Sequence, residues 1–368
     1  MFNPSRLALA RKRRGWTKRK LAQATGLTDK SIGLFESGEM PPGELTLPVL
    51  ADALGFPVSF FTQPDDLEEI PTDAASFRAL TKMTAGQRAA AEAAGALAFK
   101  MSDWIAERFR VPEPDVPKLG PGIDPETAAE VVRMEWNLSE SPIPNLIHLL
   151  EAHGVRVFSL AEESREVDAF STWRAGTGKP YIFLNTQKSA EHSRFDAAHE
   201  LGHLVLHWHH DAPQGREAEQ EAHAFASAFL MPRAPMIASA PPFVSRAEIM
   251  SHKRHWRVSA MAYVYRLHKL GLLSEWHYRS LNVDMSKRGD RTNEPHPIAR
   301  ETSQVLNKVF TALRKEGVGK GDVANALHIY PADLDALVFG LAMLPVAGNG
   351  EGSSAASAVP KLRLVQNG

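Results

Sequence analysis

Arg194-Phe-Asp-Ala-Ala-His-Glu-Leu-Gly-His-Leu-Val-Leu-His207 carries His199-Glu200-Leu201-Gly202-His203 at its middle. Residues four apart on a helix lie one above the other, so both imidazoles point the same way and can close on one metal ion. Glu200 stands next to the first imidazole, where a carboxylate can take a proton from a water that the ion activates. Phe195, Ala198, Leu201, Leu204 and Val205 surround the motif with apolar residues, and Asp196 lies near the helix start, where the helix dipole favours an acid. The stretch predicts a buried helix with a metal site on one side.

A zinc site of this kind needs a third protein ligand. A straight helix rises about 1.5 Å per residue, which puts His207 roughly 12 Å from His199, too far for both to reach one ion through bonds of about 2 Å. The next helical stretch is Arg216-Glu-Ala-Glu-Gln-Glu-Ala-His-Ala-Phe-Ala-Ser-Ala-Phe-Leu-Met-Pro232. Glu219 falls on the stripe that continues through Ala222, Ala226 and Phe229, so its carboxylate can face the first helix. Glu221 shares a stripe with Phe225 and Ala228, and His223 is one turn past Glu219. All three stay open on spacing alone.

The pairing of Phe195-x-x-Ala-His-Glu-Leu-Gly-His-Leu-x-Leu-His207 with Glu219-x-x-Ala-x-x-Phe-Ala-x-x-Phe-Leu-Met-Pro232 resembles the ImmA/IrrE family of metallopeptidases. The resemblance implies Zn2+ held by His199, His203 and Glu219, with Glu200 as general base. His223 departs from the family pattern, which usually has Asn there; the ligand set stays intact, with one extra imidazole beside it.

The chain has 368 residues, 43% hydrophobic and 23% charged, with a net charge of −1. That is ordinary for soluble globular protein and long enough for two or three compact units. The balanced charge says nothing about partners. Cysteine is absent, which excludes disulfides and thiolate metal sites and fits a reducing compartment. Met1-Phe2-Asn3-Pro4 runs into a basic helix without a signal-peptide apolar region, and no apolar run approaches a membrane span. A soluble cytoplasmic protein is expected.

Residues 1–64 read as a bundle of short helices. Thr17-Lys-Arg-Lys-Leu-Ala-Gln-Ala-Thr-Gly26 is a capped helix stopped by glycine, and Leu27-Thr-Asp-Lys-Ser-Ile-Gly-Leu-Phe-Glu-Ser-Gly38 is another. Two short helices around a Gly-containing turn make a helix-turn-helix. With Leu47, Leu50 and Leu54 following and Phe56-Pro-Val-Ser-Phe-Phe61 closing the unit, the pattern resembles the XRE, or lambda-repressor-like, DNA-binding domain. Arg6, Arg11, Lys12, Arg13, Arg14, Lys18, Arg19, Lys20 and Lys30 crowd the first thirty residues against Asp29 alone, which suits phosphate contacts. In that fold the second helix of the pair enters the major groove. Thr28, Lys30 and Ser31, with Leu34 beside them, then approach base edges, while Thr17, Lys18 and Arg19 meet the backbone. Ile32 and Phe35 face the core. The plainer reading is a helix-turn-helix used only for protein contacts.

Residues 65–125 read as a connector: an acidic stretch from Pro64 to Pro71, an Ala-rich helix from Ala89 to Phe109, then Pro112, Pro114, Pro117 and Pro121. Its helix suits either a dimer contact or packing on the catalytic unit. Residues 126–298 form the expected peptidase unit, with helices through Ala128 to Trp136 and Ile143 to Ala152. Gly154–Leu160, Val167–Arg174 and Pro180–Asn185 read as strands, one offering an exposed edge for a peptide substrate. Beyond Pro232, Arg246 to Gly271 looks like paired helices around Val258-Ser259, another feature of the resembled family. Tyr263, Tyr265 and Arg266 are candidate oxyanion donors, with packing as the plainer role. Residues 299–345 read as a helical module, where Asp333 and Asp335 argue against a phosphate-facing surface, and 346–368 as a disordered tail.

The expected fold class is α+β, mostly helical: an all-α helix-turn-helix domain, a zincin-like core with a small sheet, and a helical C-terminal module. The resemblances imply a regulator that binds double-stranded operator DNA as a homodimer. Its zinc endopeptidase would cut a helix-turn-helix repressor after a stress or mobile-element signal. The alternative is a non-proteolytic transcription factor or antitoxin whose metal site is sensory or structural.

Overall fold

The computed structural model describes residues 1–70, 83–160, 169–209, 212–213, 215–241, 243–290 and 294–342. The expected tail lies outside them, as do the first residues of the second expected strand. The class is α+β and mostly helical.

The N-terminal helices are α1 (Pro4–Arg13), α2 (Lys18–Thr25), α3 (Asp29–Ser37) and α4 (Thr46–Leu54), followed by a 3-10 turn at Val58–Thr62. Asn3, Thr17 and Thr28 cap the first three, each side-chain oxygen accepting from an otherwise orphaned N–H. Leu7, Leu21, Ile32, Phe35, Leu50, Phe56, Phe60 and Phe61 are buried together. The basic cluster is less free than its composition suggests. Arg6 is fully buried and donates to the Phe60 and Asp65 carbonyls. Arg11 grips Glu36 and the Trp16 carbonyl, and Lys12 meets Glu69. Arg6 and Lys12 thereby tie the bundle to the acidic segment after it, while Arg11 braces it internally. Lys18, Arg19, Lys20 and Lys30 remain exposed on the outer face of α2 and α3.

The connector helix α5 (Ala85–Arg108) begins in a Thr84–Gln87 capping box and is buried nearly all round from Ala90 to Ile105. A helix apolar on every side belongs inside a protein. Its small residues let α1 pack on one face. On the other, Phe99 meets the Tyr181 ring edge-on at 4.5 Å and Asp103 pairs with Arg174. Of the two roles open to this helix, packing against the sheet-bearing part of the chain is the one seen, and it leaves α2 and α3 facing outward.

In the core, α6 (Pro125–Glu135) and α7 (Leu146–Ala152) precede β1 (Arg156–Ser159), β2 (Phe170–Trp173) and β3 (Pro180–Leu184). The sheet order is β1-β3-β2, with β1 parallel and β2 antiparallel to β3. Among the described residues the strands of both sheet edges, β1 and β2, are buried rather than exposed. β2 is an edge strand by pairing, yet Phe170, Ser171 and Thr172 are buried. At its end Trp173 donates to the Leu204 carbonyl, and the Lys118 ammonium sits 3.9 Å over its ring, so the Pro-rich connector covers that side.

The sheet backs α8 (Ala190–Leu206), which packs on α9 (Arg216–Leu230), and α6 closes the far side of α9. Then come α10 (Arg233–Ala238), α11 (Arg246–Trp256), α12 (Ala260–Lys269) and α13 (Glu275–Lys287). α14 (Gln304–Lys315), α15 (Lys320–Ala326) and α16 (Pro331–Val338) end the described chain. This last group is built into the body. The Glu151 carboxylate accepts from the Gln304 and Val305 amides at the start of α14, and Thr186 donates to the Phe339 carbonyl. Asp333, whose position in the sequence disfavours a phosphate-facing surface, is buried and holds Arg14 through two hydrogen bonds of 2.7 and 2.8 Å. A cavity of about 790 Å³ lies at this junction of α1, the sheet end and α16, away from the histidine pair.

Candidate metal centre

Helix α8 is held at its start by buried charge. Ser189 caps it, Arg194 pairs with Glu301 and donates to the Ile143 carbonyl, and Glu191 accepts from Lys253 and the Ile298 amide. These buried contacts reach the start of α8 from several other elements. Its contact with α9 is set by Gly202. A Cβ there would lie 3.0 Å from Phe225 Cδ1 and 3.2 Å from Ala222 Cα, so a larger residue would require these neighbours to give by a few tenths of an ångström. Gly202→Ala is expected to cost about 1–3 kcal/mol through overpacking. It would also push Glu219 from the histidines. Urea unfolding and zinc competition, measured on the same variant, check both effects.

That spacing brings His199, His203 and Glu219 together. The two Nε2 atoms are 3.1 Å apart, Glu219 Oε2 is 3.3 Å from His199 Nε2, and Oε1 is 3.4 Å from His203 Nε2. Four donors at about 2.0–2.1 Å in a tetrahedron stand about 3.3 Å from one another, so the three edges fit one face of a zinc tetrahedron. Two imidazoles and one carboxylate, with no fourth ligand among the described residues, is a donor set of hydrolytic rather than structural zinc sites. The side chain of His203 is 2% exposed, that of His199 16% and that of Glu219 36%, so the triangle is closed behind His203 and open on the other side.

Burial alone would drive Glu219 toward its neutral form. Hydrogen bonds and charge from His199 and His203 outweigh it and hold the carboxyl well below its usual range. Burial takes the His203 imidazole down to about 4, so it is neutral. For His199, burial also lowers, but the bond to Glu219 and the nearby Glu200, Glu219 and Asp196 charges leave it above its ordinary value. An ionised Glu219 and a neutral His203 are the forms that bind a divalent cation.

Glu200 is buried, which pushes its carboxyl up to about 8. Its Oε2 accepts a 2.8 Å hydrogen bond from Ser171 on β2, whose hydroxyl also lies 3.2 Å from the Glu200 carbonyl. Nothing in the Val167–Arg174 stretch marks Ser171 out; its role depends on β2 lying against α8. The competing ligands are placed elsewhere. Glu221 pairs with His207 at 3.0 Å, and His223 stands between the Phe195 and Tyr265 rings, each centroid 4.9 Å away. Of the oxyanion candidates, Tyr263 is buried with its ring stacked on His252, and Arg266 is taken by Glu126 and the Met231 carbonyl. Tyr265 remains, one ring beyond His223.

In the N-terminal bundle, Thr17 and Thr28 serve as helix caps, and the Thr28 and Ser31 hydroxyls are 2.9 Å apart and bonded to each other. Lys18 lies 3.4 Å from Glu36. Lys30 and Arg19 project into solvent.

Two family models match this chain. Residues 150–268, spanning α8, α9 and most of α12, match the peptidase-family model described as IrrE N-terminal-like domain. Residues 7–61 match the helix-turn-helix model. Among curated proteins, none matches the chain.

Proposed function

From a chain in which a helix-turn-helix domain precedes an IrrE N-terminal-like peptidase domain, we propose a DNA-binding regulator that is itself a zinc endopeptidase. Its substrate in this reading is a helix-turn-helix repressor, cut after a stress or mobile-element signal to release a promoter. The observation that carries the reading is the His199, His203 and Glu219 triangle with one side open and Glu200 beside it. Zinc bound there supplies Lewis-acid chemistry, polarising the scissile carbonyl and making water nucleophilic at neutral pH.

The remaining work falls to this chain's own groups. Glu200 takes the proton of the attacking water on its carboxylate and passes it to the leaving nitrogen. Its burial favours holding that proton between the two transfers, and Ser171 keeps the carboxylate turned to one position. Packing of α8 against the sheet keeps bulk water from the back of the site.

DNA is the second proposed partner, met by the outward face of α2 and α3 in the cytoplasm. Operators for this fold are palindromic, which favours a homodimer. Among the described residues no helix is long and apolar enough to cross a membrane. Lys30→Ala is expected to lose about 1–3 kcal/mol on the preferred operator and to relax its sequence preference. Arg19→Ala should weaken all DNA alike and reduce the salt slope by about 1. Fluorescence anisotropy on specific and random duplexes at several salt concentrations separates the two.

The function is tested by incubating the zinc-loaded chain with small helix-turn-helix repressors, and with itself alone, with and without chelator. Mass spectrometry reads the fragments. Chelator-sensitive cleavage of a repressor supports the reading. Intact proteins throughout would leave the non-proteolytic regulator, whose metal site only senses or supports.

A further inference from the structure

His207 lies outside the triangle but is not idle. Its Nδ1 is 2.9 Å from His203 Nδ1 and its Nε2 is 3.0 Å from Glu221 Oε2. Its side chain is fully buried while that of Glu221 reaches solvent, so no water competes for the ring nitrogens of His207. From these contacts we infer that His207 and Glu221 form a relay that fixes the tautomer of His203 and aims its Nε2 lone pair at the metal.

The polarity of each bond follows from the one before it. A carboxylate oxygen only accepts, so His207 carries its proton on Nε2 and donates to Glu221. A neutral imidazole protonated there has a bare Nδ1, which accepts. His203 must therefore carry its proton on Nδ1 and donate to His207. That leaves His203 Nε2 unprotonated where it faces His199 Nε2 and Glu219. The opposite tautomer would set two lone pairs against each other at 2.9 Å in a buried place and close His203 to metal. A histidine ligand is commonly oriented through its second nitrogen by a carboxylate or carbonyl; here an extra imidazole spans the gap between ligand and carboxylate. Because His203 lies on α8, His207 follows directly at its C-terminal end and Glu221 belongs to α9, the relay also records the spacing of the two helices. His207 is a positioning residue in this arrangement, acting on the metal only through His203.

The inference rests on the proposed metal centre, and its test separates the two. Full-length protein with nitrogen-15 histidine is observed by long-range proton–nitrogen correlation, with and without zinc. His207 is expected protonated on Nε2 and His203 on Nδ1 in both samples; a His207 proton on Nδ1 overturns the relay. In parallel, zinc affinity is measured by chelator competition. His207→Phe, which keeps ring shape but offers no acceptor, should weaken zinc about 10–100-fold, while His207→Asn, whose side-chain oxygen can replace Nδ1, should stay within about threefold of the parent. Equal affinity for parent and His207→Phe overturns the relay but leaves the metal centre standing. A parent chain that binds no zinc removes both.

Discussion

Glu200→Gln is expected to retain zinc with the affinity of the parent chain and to cleave the proposed protein substrate at least about 100-fold more slowly, because it removes a general base worth about 10²–10⁴. The substitution preserves shape and volume, and the amide oxygen can still accept from Ser171 Oγ, which lies 2.8 Å from the native carboxylate. Packing against β2 is therefore kept. What is lost is the ability to take a proton from water, since an amide has no basic oxygen at neutral pH. Single-turnover cleavage with zinc content measured on the same sample checks this; undiminished turnover would remove Glu200 from the reaction.

Glu219→Ala should lose zinc outright at concentrations that saturate the parent. Removing an orienting group beyond the ligands commonly costs 10–100-fold in affinity, and a direct ligand costs more than about 100-fold. The two imidazoles left behind, 3.1 Å apart at Nε2, would have no ionised partner nearby of the kind Glu219 supplies at 3.3 and 3.4 Å. Stability gives an independent reading. Zinc at 100 times its dissociation constant stabilises the parent by about 2.7 kcal/mol, a gain absent from the variant. Thermal unfolding with zinc and with chelator measures the difference; Glu219→Ala rising with zinc as the parent does would take Glu219 out of the site.

How much of this was legible in the sequence depended on distance along the chain. The histidine helix was readable because its apolar residues and ligands follow one local period, and α8 spans Ala190–Leu206 around them. The sheet was readable for the same reason, although each strand is shorter than its apolar run. α10 and α13 leave little apolar periodicity in the sequence, since each buries only one residue, Met236 and Met285 respectively.

Contacts between distant residues left no trace in the spacing. Arg14 and Asp333 are 319 positions apart, and nothing in a basic N-terminal run says which cations turn inward. The connector helix carried no choice between neighbours either, since a small-residue surface fits several. His207 shows both sides of the problem. Helix rise excludes it as a ligand beside His199, and the structure likewise places it outside the triangle. Its bonds to His203 and Glu221, however, depend on rotamers and on where α9 lies.

Zinc K-edge X-ray absorption on the purified full-length chain tests the catalytic reading most directly. The expected spectrum has two imidazole nitrogens at about 2.0–2.1 Å, carboxylate oxygen at about 2.0–2.2 Å and one light-atom solvent ligand, with the imidazole signal lost in His203→Ala. A zinc-free protein, or an ion closed by a fourth protein side chain, would contradict a hydrolytic centre and leave a DNA-binding regulator alone.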